Sequence, residues 1–419
     1  MANLENDNIV EKERAVNDIM EEEKAENGNT EEKKAESEDV EEERVFENFV
    51  SIHGESLLVE RRLFKYSAPL YSPDANLEKY ACLQDIIKEH SLPFLPAKSL
   101  SRFRTVSKEW NKWIGSEFLA HIQTIHFKDI SGLLCQCDGL DPFFISFNQG
   151  AYGIPSPEFR FLPEPVIIRT TSNGLVCCQN NFGEHDYYIC NPVTKEWKVL
   201  PKPKWFHGLE AAISLAFKPS TLGFDASYEL VCAVPVYLNE VAVVYFETYS
   251  SSTNSWKTSE AMCYENEILD PIGNGLYMKG IVYWKTLMDA ILAFDLKSQQ
   301  YGILPLPAGS GQDGALTQMH GEFCYMLPRI QGGECKISVY GNLDMSLKHV
   351  ITLNPQVVGE TLSDCQVLTC IDDDTLLILL PNKVIAYHVK TERVETLSEV
   401  SGMGYEHCLP YINTLAPVK

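Results

Sequence analysis

Apolar runs long enough to cross a bilayer are missing from this chain. Its longest aliphatic run is LLILL at Leu376–Leu380, against about 20 residues for a membrane helix. Basic charge is scarce, with 35 Lys and Arg against 58 Asp and Glu and a net charge of -23 at pH 7, which argues against a general polyanion binder. The glycines stand in turns and nowhere build the spaced phosphate-binding pattern that runs into lysine and serine or threonine. Thirteen cysteines are too irregularly placed for a disulfide framework. Cys135 with Cys137, and Cys177 and Cys178 with Cys190, lack the second matching pair of a structural zinc site and read as buried thiols. With no apolar leader after Met1, those thiols are expected to be reduced, in the cytoplasm, the nucleus or both. Asp372, Asp373 and Asp374 lack the glycine and closing glutamate of a calcium loop and read as a hairpin turn. His185 and Asp186 have no nucleophile placed beside them by spacing. No metal, cofactor or catalytic constellation is expected.

What is present divides into unlike regions. Residues 1–45 hold seventeen acids and six bases with almost no large apolar side chain; such a composition cannot offset the entropy of ordering, so an acidic disordered tail is expected. Residues 46–80 read as a connector. From residue 81 to about 125 the period is helical: Leu83, Ile86 and Ile87 fall on one stripe, and Leu100, Phe103 and Val106 on another. Pro93 and Pro96 separate the two, Pro96 suits the start of the second helix, and Ser107 suits the cap of a third. Three short helices in so few residues need a neighbour or partner for stability.

Beyond about residue 131 extended strands alternate with turn signals. The outline strand, polar turn, strand with a large anchor recurs in YYICNPVTKEWKVLP, VYFETYSSSTNSWKT, AILAFDLKSQQYGILP, CKISVYGNLDMSLKHV and KVIAYHVKTERVETL. Their anchors are Trp197, Trp256, Tyr301, Leu347 and Val394, and a weaker earlier copy begins at Phe143. The spacing suits one four-stranded propeller blade per repeat, six in all, with a two-sheet sandwich as the competing architecture. Trp197 is expected to pack within a blade, and Trp256 and Tyr301 to be core. PKPKWFHGLE, with Trp205, Phe206 and His207, reads as a target-binding rim or an inter-blade connector.

The segment LPAKSLSRFRTVSKEWNKWI, Leu95–Ile114, carries five bases and one acid. Lys98, Arg102, Arg104, Lys108 and Lys112 could face phosphates, but the continuous apolar stripe favours a protein partner over nucleic acid.

That segment, extended to Leu83–Ile122, resembles an F-box, the adaptor-binding module of cullin-type ubiquitin ligase receptors. SNGLVCC at Ser172 and YYICNPVTKEWKVLP at Tyr187 look like the opening of the plant F-box-associated domain, a kelch-like repeat region. The resemblance implies an α+β multidomain chain: a small three-helix F-box at 81–125, followed by an all-β kelch-like propeller at 131–415. It implies that Leu83, Ile87, Leu92, Leu95, Pro96, Lys98 and Leu100 bind a Skp1-like adaptor, while Phe103, Val106 and Trp110 hold the helices together. Gln84, His90 and Ser91 depart from the family pattern. Implied partners are the adaptor, a cullin and RING subunit indirectly, and an unknown protein substrate, with no nucleic acid, membrane or cofactor. The chain would be a non-catalytic substrate-recognition subunit of an SCF-type E3 ubiquitin ligase. The alternatives are a non-ligase interaction scaffold or an enzyme using the propeller channel.

Overall fold

The computed structural model describes residues 83–419 apart from short internal stretches at 138–139, 182, 184, 220–225, 239–240, 265–273, 288, 308, 311–312, 343, 354, 359–363 and 400–406. The acidic tail and the connector expected at 1–80 lie outside the described residues.

The β strands build six sheets. Blade I is β3 (Val166–Ser172), β4 (Leu175–Asn180), β5 (Tyr187–Asn191) and β6 (Glu196–Val199). Blade II is β7 (Ala212–Lys218), β8 (Ser227–Leu238), β9 (Val241–Ser250) and β10 (Ser255–Cys263). Blade III is β11 (Leu276–Met278), β12 (Ile281–Lys285), β13 (Ala290–Asp295) and β14 (Gln300–Pro305). Blade IV is β15 (Ala315–Met319), β16 (Glu322–Gln331), β17 (Glu334–Gly341) and β18 (Ser346–Leu353). Blade V is β19 (Gln366–Asp372), β20 (Thr375–Leu380), β21 (Lys383–His388) and β22 (Arg393–Glu399). Blade VI has three strands, β23 (His407–Ile412), β1 (Ile130–Gln136) and β2 (Phe143–Ser146), in that order across the sheet.

The first strands touch in sequence around the ring: β3 against β7, β7 against β11, β11 against β15, β15 against β19, β19 against β23, and β23 back against β3. A six-bladed propeller results, closed by pairing the C-terminal strand with the first. Six apolar clusters fill the six gaps between neighbouring blades. The alternation of side chains along a strand divides each blade between two gaps: Leu175, Cys177 and Ile189 face blade II, whereas Val176, Cys178 and Cys190 face blade VI. Inner strands buried on both faces therefore read as unbroken apolar runs, as in LVCC and YYIC.

The repeat outlines correspond to the outer hairpin of each blade. In five blades the residue just before the fourth strand has positive φ: Lys195 at 62°, Asn254 at 50°, Gln299 at 57°, Met345 at 48° and Glu392 at 54°. The anchor always follows two positions later. Trp256 packs against the core between blades I and II, and Tyr301 against the core between II and III. Trp197 departs from expectation: it lies on the outermost strand of blade I and is 43% exposed, with one face near Tyr188. The segment at Phe143 is no separate blade but the outer strand of the closing one.

The hairpin between β3 and β4 is the two-residue turn Asn173–Gly174, both with positive φ, at 51° and 91°. This is the turn whose twist matches paired strands, and it favours Asn-Gly. A Cβ on Gly174 would stand 1.9 Å from the Thr414 Oγ1. Gly174→Val is therefore expected to lower stability by about 2–4 kcal/mol through combined backbone strain and collision, read as a lower midpoint in urea unfolding with an unchanged slope.

Before the ring come α1 (Leu83–His90), a 3-10 turn (Leu92–Phe94), α2 (Ala97–Phe103), α3 (Lys108–Ile114) and α4 (Glu117–His126). Among the described residues of this region four helices stand where three were expected, Ser116 accepting a hydrogen bond from the Leu119 N–H and capping the additional one. Among the described residues no helix is long and apolar enough to cross a membrane.

Candidate partner-binding site

The helices are seated on the propeller through polar residues with no periodic signature. Asn413, fully enclosed just after β23, is the centre of the seat. Its carbonyl accepts from the Ala97 N–H (3.1 Å) and the Gln123 Nε2 (3.3 Å), its Oδ1 accepts from the Lys98 N–H (3.1 Å), and its Nδ2 donates to the Gly153 carbonyl (3.0 Å). Gln123, also enclosed, donates from Nε2 to the Leu95 carbonyl and accepts at Oε1 from the Leu415 N–H. The Asn173 turn joins from the other side, its Nδ2 donating to the Thr124 carbonyl and its own carbonyl accepting from Thr414. Leu415 packs on both the helical core and the core between blades VI and I.

This seat uses several residues expected at an intermolecular contact. Lys98 Nζ donates to the Gln149 and Tyr152 carbonyls at 2.6 and 3.1 Å, and Arg102 Nη1 donates to the Gly150 carbonyl at 2.9 Å. Lys98 is thus bound within the chain, at the loop after β2. Leu92 and Leu100 are core of the helical module together with Ile114 and Leu119, and Ile87 and Leu95 pack against them. Pro96 is buried where it precedes α2, while Ala97 joins the core between blades VI and I. Leu83 opens α1, but its side chain lies outside the described residues. The physical reason for these placements is that an apolar stripe must be covered: the helices cover most of theirs among themselves, and Leu415 is added from the C-terminal segment.

The expected helix-packing residues are redistributed in turn. Leu100 is 0% exposed, whereas Phe103 is 37% and Val106 61% exposed. Phe103 meets Trp110 edge-on at 5.9 Å, and Trp110 packs against the helical core. Ser107 accepts from the Trp110 N–H at 3.1 Å and starts α3, so the sharp turn holds Phe103, Val106 and Trp110 together. Arg104, Lys108 and Lys112 are exposed around them, with Arg104 Nε donating to Asn111 Oδ1 at 2.8 Å. The result is a small apolar face with a basic margin, on a module fixed rigidly to the ring. Behind it, His121 is buried and its pKa is lowered, first by burial and then by nearby His126, which favours the neutral ring.

The segment read as a target-binding rim is the connector from β6 to β7. Phe206 is 65% exposed, but His207 is enclosed, its Nε2 2.9 Å from the Glu247 carboxylate, and Trp205 stacks on Tyr245 at 4.9 Å. Asp372 to Asp374 form the β19–β20 turn: Asp374 accepts from Lys390 and Asp373 from the His320 N–H, both at 2.7 Å. Among the described residues no group of three or more His, Cys, Asp or Glu side chains is arranged to hold a metal ion.

Fold and face together define a six-bladed propeller bearing a compact helical module with a small exposed apolar face. Residues 156–352, which span blades I to IV, match the family described as "F-box protein At3g26010-like, beta-propeller". The chain is 25% identical to the "Putative F-box/kelch-repeat protein At1g15680" of Arabidopsis thaliana over 51% of its own length and 57% of that protein. It is 26% identical to "F-box protein At5g03970" of the same plant, over 73% of this chain and 80% of that one. With "F-box protein At3g26010" it shares 25% identity over 58% and 61% of the two lengths. The chain is thus similar to plant F-box proteins, and its blades I to IV to the propeller of one such family.

Proposed function

We propose that this chain is the substrate-recognition subunit of an SCF-type E3 ubiquitin ligase, with residues 83–126 as its F-box. The face of Phe103, Val106 and Trp110 binds a Skp1-like adaptor, which links it to a cullin and RING subunit, and the propeller presents a target protein. The observation that carries this reading is that face itself: solvent-exposed apolar side chains on helices whose other side is already seated. Its margin of Arg104, Lys108 and Lys112, in a chain of net charge -23, suits an adaptor surface with acidic groups. The chain supplies placement, raising the effective concentration of target near the ubiquitin-loaded enzyme, and no covalent chemistry. The relatives' names support the adaptor assignment as a property of the family.

Co-purification with a Skp1-like adaptor and cullin tests it. Phe103→Ser with Val106→Asp is expected to reduce adaptor binding by about 30-fold or more, the scale of losing a buried interface anchor, without changing the melting temperature. Leu100→Ala instead empties a core position and lowers stability by about 2–5 kcal/mol. Full retention of adaptor and cullin by the Phe103/Val106 variant would sink the assignment of this face.

A further inference from the structure

The ring is closed where β1 meets β23, and two cysteines lie directly opposite each other across that pairing. Cys135 and Cys408 are register partners, and their sulfurs are 3.1 Å apart. The type of pair follows from a proline in the same strand. Pro410 faces Leu133; lacking an N–H, it cannot take part in a doubly hydrogen-bonded pair, so Leu133 and Pro410 form a non-hydrogen-bonded one. Pair types alternate along an antiparallel ladder, and Cys135 with Cys408, two steps on, is again non-hydrogen-bonded. Such pairs bring Cα atoms to about 4.5 Å and side chains closest, inside the separation a disulfide spans.

We propose that Cys135 and Cys408 are a modification site, an oxidisable dithiol whose disulfide reversibly locks the propeller ring, with a peroxide as the class of oxidant. Access favours initiation at Cys408, which is half-buried, over Cys135, which is enclosed among Leu377, Leu379 and Val384 of blade V. The hydrogen bond with Cys408 and then burial raise the Cys135 thiol pKa and keep it protonated, which also leaves the first step to Cys408. The Cys408 sulfur attacks the peroxide, breaking its O–O bond and giving a sulfenic acid and one water from hydrogen peroxide. The Cys135 sulfur then displaces the sulfenic hydroxyl, forming the S–S bond and releasing a second water. Two thiols lose two electrons and two protons, one peroxide is reduced, and a dithiol reductant reverses the change. The bond joins positions 273 residues apart in sequence, so that blade VI can no longer open between its first and second strands.

Peroxide treatment of the full folded chain, alkylation of remaining thiols and peptide mapping without reduction test the proposal. A Cys135–Cys408 linked peptide is expected at about 10-fold or greater excess over links among the enclosed cysteines, the selectivity that access and geometry impose. Denaturing the protein before oxidation should abolish that excess. The oxidised protein should melt higher than the reduced one, and Cys408→Ser, a near-isosteric change at a half-buried site, should abolish this difference while retaining the reduced protein's melting temperature. Recovery of Cys135 and Cys408 as separately alkylated peptides from oxidised folded protein would overturn the proposal. So would a Cys137–Cys408 link in equal yield.

Discussion

Deletion of residues 407–419 is expected to leave no folded monomer. The segment contains β23, the first strand of blade VI, and its loss strips the ladder partner from β1 and the contacts to β3 and β19. Leu409 and Tyr411 are buried in the core between blades VI and I, and Leu134 on β1 depends on the same packing. Burial of a Leu or Tyr side chain contributes on the order of 2 kcal/mol. The seat centred on Asn413 adds several enclosed hydrogen bonds whose stranded partners cost about 1–3 kcal/mol each. Their sum rivals the roughly 5–15 kcal/mol that stabilises a whole domain. Gel filtration should show aggregate, and circular dichroism no cooperative melt. A monodisperse truncated chain with the parent melting temperature would contradict closure by β23.

His207→Ala is the second large effect. His207 and Glu247 are both enclosed between blades I and II, with the ring Nε2 2.9 Å from one carboxylate oxygen. That oxygen also accepts from the Trp205 N–H at 3.1 Å, and the other accepts from Thr258 at 2.6 Å. Removing one member of a buried ionic or hydrogen-bonded pair leaves the other poorly compensated, at about 3–5 kcal/mol. A fall in melting temperature on the order of 5 °C or more should follow. Replacing both by leucine is expected to recover only part of the loss, since no charge is stranded but the Trp205 N–H and the Thr258 hydroxyl lose their acceptor.

Acid should probe the same pair. Burial raises the Glu247 pKa, but hydrogen bonds from His207, Thr258 and the Trp205 N–H outweigh it and hold the pKa below its ordinary 4.5. A depressed carboxyl pKa stabilises the folded state fully above the unfolded value and ceases to do so as pH falls through the folded one. The Glu247 contribution should thus be constant above about pH 5 and decline below 4.5, with a shallower decline in His207→Ala. Urea midpoints measured from pH 6 to pH 3 would show it.

The sequence carried the architecture well because a propeller repeats one local problem. Each outer hairpin needs a left-handed residue before its last strand, and each first strand needs apolar residues on both faces. Those demands made the outlines from Tyr187 to Val394 visible. The seat of the helices was illegible for the opposite reason. Period places Leu100, Phe103 and Val106 on a common stripe, yet it is silent on whether the cover comes from the chain or from a partner. Leu100 turns inward, onto Leu92, Ile114 and Leu119 with Leu415 beside them, and Phe103 outward. YINTLAPVK contains no motif announcing this. A single Asn between Ile412 and Thr414 carries no such signal, and the same holds for Gln123 between Ile122 and Thr124 in α4. Lys98 and Arg102 show why charge alone is a weak signal: carbonyl oxygens of a loop satisfy a cation as well as a phosphate or an acidic partner does.

The bond between Gln123 and Asn413 spans 290 residues, which fixes the timing of assembly. At about 5–20 residues per second of synthesis, residues 83–126 emerge roughly 15 to 60 seconds before the segment on which they rest. During that interval the helices have their own small core but stand beside an open ring without the Asn413 and Leu415 side of their seat. A newborn chain therefore leaves open the Ala97 and Lys98 N–H groups and the Gln123 Oε1 that Asn413 and Leu415 satisfy in the mature protein. Only ring closure satisfies these groups, so the seating of the helices comes last, as a property of the completed circle.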